Sequence, residues 1–203
     1  MSKCLITTKN INHDKFNHED YDCFIGIELG AKFLFENLAI TNKHYISDFD
    51  SIDLKTKKLL KEQDNYHELP KSRDLTDTEE AIKYGLNLGY KNIDLYVDED
   101  RGRKDHLISI YYLANKYQLN VFGNKFKITP LPKNKTTTIY NKYKYVSIFV
   151  NQKTKVSSNG LVYELKNESF TILSGTKLIS NEINGDSANI CVNKNAIIIQ
   201  AND

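Results

Sequence analysis

The sequence has few cysteines, the residues that stabilise small proteins through disulfide bonds or structural zinc. Three of its 203 residues are cysteine, and Cys4, Cys23 and Cys191 include no pair with C-x-x-C spacing. An odd number of distant cysteines fits neither a disulfide framework nor a zinc ribbon. The simplest interpretation is a reducing compartment, and we expect a cytoplasmic protein.

Strong charge of one sign and long apolar runs are also lacking. Lys and Arg number 28 against 26 Asp and Glu, which gives a net charge of +2, and the basic residues are spread along the chain. We therefore expect no nucleic-acid partner. No apolar run approaches membrane-spanning length and no signal-peptide pattern is present, so we expect no membrane partner. The 40% hydrophobic and 27% charged residues are ordinary for one large globular domain or two small ones.

Common catalytic motifs are missing as well. There is no phosphate-binding G-x-x-x-x-G-K-[ST] loop, no G-x-G-x-x-G, no H-E-x-x-H and no G-x-S-x-G. A metal site built on histidine is not expected because the five histidines are scattered: His13, His18, His44, His67 and His106.

Roughly the first 125 residues alternate between short apolar runs and helical patterns. The clearest helical patterns are 77–89, which ends at a glycine, and 105–117. The strand-like runs are 3–8, 23–28, 43–47, 65–69, 92–97 and 119–123. Strands that alternate with helices predict a mostly parallel sheet flanked by helices. We predict an α/β domain over 1–125.

The pattern changes after "KITPLPKNK" (127–135), which holds two of the three prolines. Only short strand-like runs follow, separated by turn signals at 158–160, 166–169 and 184–186. They begin with "TTTIY", "YVSIFV" and "KVSSN" and continue with "LVYEL", "SFTIL", "KLISNEI", "ANICV" and "AIIIQ". This pattern predicts a small all-β sandwich or barrel over 126–203.

Acidic residues cluster after three of the predicted inner strands. The clusters are Asp48 and Asp50 in "ISDFDSI", Asp74 and Asp77 in "RDLTDTEEA", and 98–100 with Asp105 in "VDEDRGRKDH". In an open α/β sheet, ligands bind beyond the carboxyl ends of the strands. Carboxylates gathered there would repel one another, and Mg²⁺, which prefers oxygen ligands and often bridges to phosphates, relieves that repulsion.

Each cluster also has a purely structural interpretation. "DFDS" can be an Asx turn followed by a helix cap. Thr76 with Glu79 forms a capping box, and Asp74 or Asp77 can favour a helix N-terminus. "RGRKDH" can be a solvated loop. It is less probable that all three acidic clusters at one sheet edge have purely structural roles than that any one of them does.

The ordered set "SDFDSI", "RDLTDTEEAI" and "GRKDH" resembles the thiamine pyrophosphokinase family. That family's pattern is roughly GDFDS, then D-x-T-D-x-x-x-A, then GGRxDH. The stretch 159–183 also resembles its thiamine-binding run, through Gly160, Leu161, Tyr163, Leu165, Ser180 and Asn181. The resemblance extends over most of the chain from about residue 23.

Four residues depart from the family pattern. Ser47 stands where the family usually has glycine before the first aspartate, and Arg101 replaces the first glycine of the third motif. In "ELGAK", Glu28 replaces an aspartate and Lys32 an asparagine. Glu28 can still carry charge to a metal at longer reach, and Lys32 could meet a phosphate.

The resemblance implies transfer of a pyrophosphoryl group from ATP to the hydroxyl of thiamine, which gives thiamine diphosphate and AMP. It implies Mg²⁺ as cofactor, held directly or through waters by Asp48, Asp50, Asp74, Asp77 and Asp105. One of these would also accept the proton of the attacking hydroxyl. The ATP phosphates would be bound by Arg103, Arg73, Ser51 and Gly102, and possible help from Arg101 stays open.

The resemblance further implies that thiamine, a flat cationic heteroaromatic, is bound by Tyr163, Ser180 and Asn181 near the interface of a homodimer. In this interpretation 1–125 is the catalytic domain that binds ATP and Mg²⁺, and 126–203 binds thiamine and dimerises. A structural role is also open for these three residues, Tyr163 as an inward strand residue and Ser180–Asn181 as a turn.

Two other functions stay open. One is a related nucleotide-dependent pyrophosphokinase that acts on another small alcohol, for which the departures at Glu28 and Lys32 leave room. The other is a non-catalytic module that binds a phosphorylated ligand, with the acids acting as caps.

Overall fold

A computed structural model describes residues 2–11, 17–37, 39–97 and 104–203. The chain forms two compact units, Met1–Asp100 and Arg101–Asp203. The units divide earlier in the chain than the expected domain boundary at 125–126. The assignment of nucleotide and thiamine binding to the two expected domains stays a prediction.

The first unit is built on five parallel strands in the order β4-β3-β2-β1-β5. The strands are β1 (Lys3–Thr7), β2 (Cys23–Gly26), β3 (Lys43–Ser47), β4 (Tyr66–Glu68) and β5 (Asn92–Tyr96). Four of them are buried at every position after the first or throughout, because parallel strands are covered on both faces. The predicted parallel sheet is confirmed, and each strand lies within two residues of its predicted bounds.

Three α-helices connect these strands: α1 (Leu29–Glu36), α2 (Leu54–Lys61) and α3 (Asp77–Asn87). Helix α3 begins where predicted because the Thr76 side chain accepts a hydrogen bond from the Glu79 amide. Helix α2 begins after Asp53, whose carboxylate accepts from the amide and the hydroxyl of Thr56. These bonds hold the pKa of Asp53 well below its usual range. A short 3-10 helix covers His18–Asp20.

Helix α1 approaches the sheet closely because two glycines lie where side chains would collide. A Cβ on Gly30 would lie 2.0 Å from the carbonyl oxygen of Thr7, and one on Gly26 would lie 2.5 Å from the Cα of Ala31. The contact brings the start of α1 directly against the carboxyl ends of β1 and β2. The "ELGAK" segment is thereby fixed at that edge of the sheet.

The second unit begins with α4 (Lys104–Tyr117) and continues with short strands in two antiparallel groups. One group has the order β6-β7-β13-β9 and the other β11-β10-β12-β8. The strands are β6 (Asn120–Phe122), β7 (Phe126–Leu131), β8 (Thr136–Tyr140), β9 (Tyr145–Phe149), β10 (Thr154–Asn159), β11 (Glu168–Phe170), β12 (Ser187–Val192) and β13 (Ala196–Ala201). Apolar side chains from both groups form one buried cluster, which makes the unit a β-sandwich as predicted.

The stretch 127–135, after which the sequence pattern changes, is largely strand β7, in which Pro130 lies beyond the last residue paired with β6. Two local predictions in this unit were wrong. "LVYEL" (161–165) forms an isolated bridge and a turn rather than a strand. The runs "SFTIL" and "KLISNEI" lie partly in a 3-10 helix, Ile172–Leu178.

The loop 160–165 is held by side chains instead of a strand ladder. The Glu164 carboxylate accepts hydrogen bonds from the amides of Gly160 and Leu161 and from the hydroxyl of Ser158. These bonds lower the pKa of Glu164, the one from Ser158 most. Gly160 has a φ of +98°, and a Cβ there would lie 2.6 Å from the carbonyl oxygen of Ser187, so another residue could not make this turn without distortion.

All three cysteines are free thiols, and Cys4 and Cys23 are buried side by side on β1 and β2. In the described part of the chain, none of the helices has the length and apolar character needed to cross a membrane.

Candidate active site

Three carboxylates meet at the carboxyl edge of the parallel sheet. Glu28 follows β2, Asp48 follows β3, and Asp77 is the first residue of α3. One carboxylate oxygen from each lies within 4.8 Å of the others, so they form a possible metal-binding group. The structure therefore brings together Asp48 and Asp77, which the motifs pointed to, with Glu28, whose loop departs from the family pattern. We refer to these three side chains as the carboxylate cluster.

Glu28 reaches the cluster from an unusual backbone conformation. Its φ of 51° and ψ of −118° are rarely adopted by a residue with a side chain, at a cost of roughly 1–3 kcal/mol. Its carboxylate accepts hydrogen bonds from the Ser47 hydroxyl and, at 2.9 Å, from the Ser51 amide. These bonds hold the side chain over the end of β3.

Ser47 is the last residue of β3 and is fully buried. Its hydroxyl contacts a Glu28 oxygen and lies 2.7 Å from Oδ2 of Asp77. The residue that departs from the family's glycine therefore lies between two of the three carboxylates. No sequence pattern indicated that contact.

Arg73 supplies positive charge to the carboxylate cluster. Its guanidinium forms an ion pair with Asp77, lies 3.5 Å from Oδ2 of Asp48 and donates to the Pro70 carbonyl at 2.5 Å. The Arg73 side chain is only 14% exposed, so these interactions are poorly screened by solvent. In this structure Arg73 balances the acids, whereas its predicted role at ATP phosphates stays a prediction.

Phe49 shapes the turn between the two aspartates of "SDFDS". Its φ is 53°, its ring is 1% exposed, and it stacks on Tyr66 with 4.7 Å between ring centroids. The Asp50 amide donates to Oδ1 of Asp48 at 3.3 Å, which is the predicted Asx turn. The helix cap that follows is Asp53, a residue that sequence analysis did not single out.

Two lysines of α2 extend the charged surroundings of the site. Lys57 donates to the Asp48 carbonyl at 2.8 Å and pairs with Glu68, the last residue of β4, at 2.7 Å. Lys61 pairs with the same carboxylate at 2.8 Å. Hydrogen bonds from Lys57 and then Lys61 lower the pKa of Glu68 to about 2. Glu68 is therefore engaged by α2 and stands apart from the carboxylate cluster.

The remaining predicted site residues are placed differently. Asp50 and Asp74 are exposed and are not part of the carboxylate cluster. The Ser51 hydroxyl donates to Asp50 at 3.0 Å. Lys32, a candidate for phosphate, pairs with Asp53 at 3.2 Å. Asp105 is exposed in the first turn of α4, in the second unit. Arg101, Gly102 and Arg103 lie outside the described residues.

The donor set of the cluster suits a hard divalent cation. Carboxylate oxygens are the ligands that Mg²⁺ and Mn²⁺ prefer, and three from different loops can converge on one ion. Asp77 also lies at the N-terminus of α3, where the helix dipole stabilises negative charge. Both interpretations of Asp77, helix start and site residue, are therefore compatible with its position.

Of the residues predicted to bind thiamine, Asn181 is the most constrained. It is 6% exposed, and its Oδ1 accepts from the amides of Tyr163 at 3.1 Å and Glu182 at 2.9 Å. Its Nδ2 donates to the Tyr163 carbonyl at 2.8 Å. The amide of Asn181 therefore fixes the backbone of Tyr163.

The other two predicted thiamine residues are open to solvent. The Tyr163 side chain is 72% exposed, which rules out the alternative that it points inward from a strand. Ser180 is exposed with a φ of 60°, and its amide donates to the Ser147 hydroxyl at 3.1 Å. The chain bends at Ser180, in agreement with the structural alternative for Ser180–Asn181, and the Asn181 side chain holds the backbone of Tyr163.

A half-buried polar chain runs beneath α3, and sequence analysis missed it. The Tyr84 hydroxyl lies 2.9 Å from Nδ1 of His44 and 2.7 Å from Nε2 of His67. Burial lowers the pKa of His67, with a smaller effect from His44. The 40-residue and 17-residue separations of these partners give no local signal, although His44 and His67 sit on neighbouring strands.

Comparison with known proteins gives a family for the C-terminal part. Residues 131–198 match the family model described as thiamin pyrophosphokinase, vitamin B1 binding domain. This segment contains Tyr163, Ser180 and Asn181. No curated protein sequence matches the chain.

The whole chain resembles solved structures in fold. A thiamin pyrophosphokinase family protein from Enterococcus faecalis is 19% identical, with 100% of both chains covered and a TM-score of 0.82. A thiamine pyrophosphokinase from Bacillus subtilis is 20% identical over 100% of both chains, with a TM-score of 0.77. For a thiamin pyrophosphokinase from Candida albicans the identity is 18% over 98% of this chain and 89% of the other, with a TM-score of 0.70. The resemblance stated from the motifs is thus confirmed, by a family model in the C-terminal part and by fold over the chain.

Proposed function

We propose that this protein is a thiamine pyrophosphokinase. Its C-terminal region matches the thiamin pyrophosphokinase vitamin B1 binding domain, and its whole chain has the fold of the solved thiamine pyrophosphokinases. It would transfer a pyrophosphoryl group from ATP to the hydroxyl of thiamine, giving thiamine diphosphate and AMP. The observation that carries the proposal is the convergence of Glu28, Asp48 and Asp77 at the ligand-binding edge of the parallel sheet.

Phosphoryl-type transfer depends mainly on positioning and on neutralising charge, and the site has groups for both. Mg²⁺ held by Glu28, Asp48 and Asp77 would neutralise phosphate charge when ATP is bound. Asp50, Asp74 and Asp105 stay in the proposed set through the resemblance, as water-mediated or outer ligands. The fixed turn at Phe49 holds the Asp48 backbone in place for this role.

Side chains of the site are also proposed to accept a proton and to balance charge. Arg73 pairs with Asp77 and lies 3.5 Å from Oδ2 of Asp48, so its positive charge offsets the repulsion between the two carboxylates and keeps the cluster preorganised. One carboxylate of the proposed set would accept the proton of the attacking hydroxyl. Arg103, Gly102 and Ser51 are proposed to bind the ATP phosphates, with Arg73 as a further candidate once phosphate competes for its guanidinium.

Thiamine binding is proposed at Tyr163 with Ser180 and Asn181. The exposed ring of Tyr163 can offer its face to the cationic heteroaromatic. Because the Asn181 amide is already bonded to the Tyr163 backbone, we assign Asn181 to holding the tyrosine in position. A homodimer is proposed as well, since Ile172 and Leu173 of this unit are 71% and 92% exposed. Light scattering that gives a monomer mass would contradict the dimer.

The deciding experiment is a coupled assay of AMP release with ATP and Mg²⁺, with thiamine present or absent. AMP that forms only with thiamine is the expected result. AMP formed with another small alcohol and none with thiamine would point to a related pyrophosphokinase. Absence of turnover, together with ligand-induced thermal stabilisation that does not depend on Mg²⁺, would point to a binding module.

A further inference from the structure

The Ser47 hydroxyl makes more contacts with carboxylates than its single hydrogen can serve. It lies within hydrogen-bonding distance of Oε1 of Glu28 and, at 2.7 Å, of Oδ2 of Asp77. A hydroxyl has one hydrogen to donate and two lone pairs to accept with. The hydrogen can point at one of the two carboxylate oxygens or be shared between them, so the Ser47 hydroxyl gives the pair no more than one full hydrogen bond.

Holding the Glu28 and Asp77 oxygens against one buried hydroxyl costs free energy unless a positive charge lies close to them. Ser47 is fully buried and the Asp77 side chain is only 18% exposed, so water relieves little of the repulsion. Arg73 does not meet the need at this point, because its guanidinium pairs with the other Asp77 oxygen, Oδ1. A small cation bound to the oxygens of Ser47, Glu28 and Asp77 would relieve the repulsion among them.

Glu28 and Ser47 are coupled by the fold. Glu28 adopts its strained backbone conformation with its carboxylate on the Ser47 hydroxyl and the Ser51 amide. A glycine or alanine at position 47 would remove the hydroxyl that links Glu28 to Asp77. The Glu28 carboxylate would then keep only the Ser51 amide among the partners described above, and its distance to Asp77 would no longer be fixed.

We propose that Ser47 is a positioning residue that sets the spacing of Glu28 and Asp77 for a divalent cation, so that the two departures Glu28 and Ser47 act as one unit. The proposal rests on the proposed function for its biological use. It does not rest on that function for its test, because cation binding can be measured without ATP or thiamine.

The experiment measures Mn²⁺ binding to the full chain from the electron paramagnetic resonance signal of the free ion, with Mg²⁺ as competitor. Ser47→Ala should bind Mn²⁺ about tenfold more weakly than the wild type, because a hydrogen bond to charged partners is lost. Ser47→Cys keeps an atom at the γ position but offers only a weak donor, so it should show a similar loss even if the alanine variant folds poorly.

Thr7 provides a matched control. It is also fully buried at the end of a strand of the same parallel sheet, β1, and its hydroxyl donates to the Lys9 carbonyl at 2.7 Å. Thr7→Val removes one buried hydroxyl and should leave Mn²⁺ affinity within about twofold of the wild type. Equal loss in Thr7→Val and Ser47→Ala would show that the effect is structural and would overturn the proposal.

Coupling to Glu28 is tested by a double-mutant cycle. If Ser47 acts through Glu28, Glu28→Gln with Ser47→Ala should bind Mn²⁺ about as weakly as Glu28→Gln alone. Additive losses, unchanged affinity in Ser47→Ala, or absence of Mn²⁺ binding in the wild type would each overturn the proposal. If Mn²⁺ binding behaves as expected but thiamine gives no AMP, the proposed reaction fails while the role of Ser47 stands.

Discussion

The two regions predicted to form the active site are built in opposite ways. At the carboxylate cluster of the first unit, side chains from three loops converge because parallel strands end at one edge. Around Tyr163 in the second unit, the buried side-chain amide of Asn181 fixes the backbone of a loop. The Tyr163 ring, the candidate for thiamine binding, is exposed to solvent. In the first region, Arg73 holds the carboxylates by electrostatic attraction. In the second region, hydrogen bonds from the Asn181 side chain to the backbone hold the loop.

This difference indicates which property each region should lose on mutation. Charge removed from the carboxylate cluster should affect chemistry far more than folding, because repulsion is relieved at the same time. Removal of the Asn181 amide should affect folding first, because it removes three hydrogen bonds to the backbone of Tyr163 and Glu182. The predictions below test this contrast, from the largest expected effect to the smallest.

The largest effect is expected for Asp77→Asn. Loss of one carboxylate that would hold the cation should lower the rate of thiamine-dependent AMP release at least about a hundredfold, since a metal contributes several kcal/mol to charge stabilisation. The same change at the exposed Asp64, Asp64→Asn, should leave the rate within about twofold. Steady-state rates at saturating Mg²⁺ measure both, and near-normal turnover in Asp77→Asn would remove the cluster from catalysis.

The same assay decides whether the exposed acids Asp50 and Asp74 belong to the site. Asp50→Asn should abolish turnover and leave the melting temperature nearly unchanged if Asp50 joins the cluster when ATP and metal bind. Retained activity would restrict the site to Glu28, Asp48 and Asp77. Asp74→Asn is interpreted in the same way.

A stability effect should dominate at Asn181. Asn181→Ala leaves the amides of Tyr163 and Glu182 without their acceptor and should lower the free energy of unfolding by about 2 to 3 kcal/mol in urea denaturation. The exposed Asn184 is the control, and Asn184→Ala should change it by less than about 0.5 kcal/mol.

Tyr163 completes that comparison because its ring is exposed while its backbone is held. Tyr163→Ala should leave stability nearly unchanged and raise KM for thiamine. If Asn181→Ala left stability unchanged and altered only thiamine binding, the assignment of Asn181 to a holding role would be wrong.

The smallest effect is expected from pH at His67. Folding lowers the pKa of His67 below its ordinary value of 6.5, so the folded protein binds this proton less tightly than the unfolded chain. Its contribution to stability is therefore fully present above about pH 6.5 and declines as the pH falls below that value. Thermal melts from about pH 7.5 to 5.5 should show a shallower decline in His67→Gln than in the wild type. His106→Gln, at an exposed position of α4, should keep the wild-type slope.

Much of the fold follows from local patterns. The apolar runs of the first unit predicted strands to within two residues because strands covered on both faces are mainly apolar. The helix at Asp77–Asn87 was predicted from its periodicity and its Thr76 cap. Prediction failed at 172–178, which forms a 3-10 helix, and at 161–165, where Glu164 and Asn181 bond to backbone groups that a strand would otherwise pair. Such bonds from side chains to the backbone have no periodic signature.

By itself, the sequence determined the kinds of side chain at the two regions: carboxylates after the strands of a parallel sheet, and a tyrosine with polar neighbours in an all-β region. Only the tertiary structure decided which acids meet. Glu28 joined Asp48 and Asp77 through a strained backbone and the buried Ser47 hydroxyl, while Asp50 and Asp74 stayed at the surface. The physical reason is that charge and residue type are local properties, whereas a distance of a few ångströms between loops is set by how the strands and helices pack.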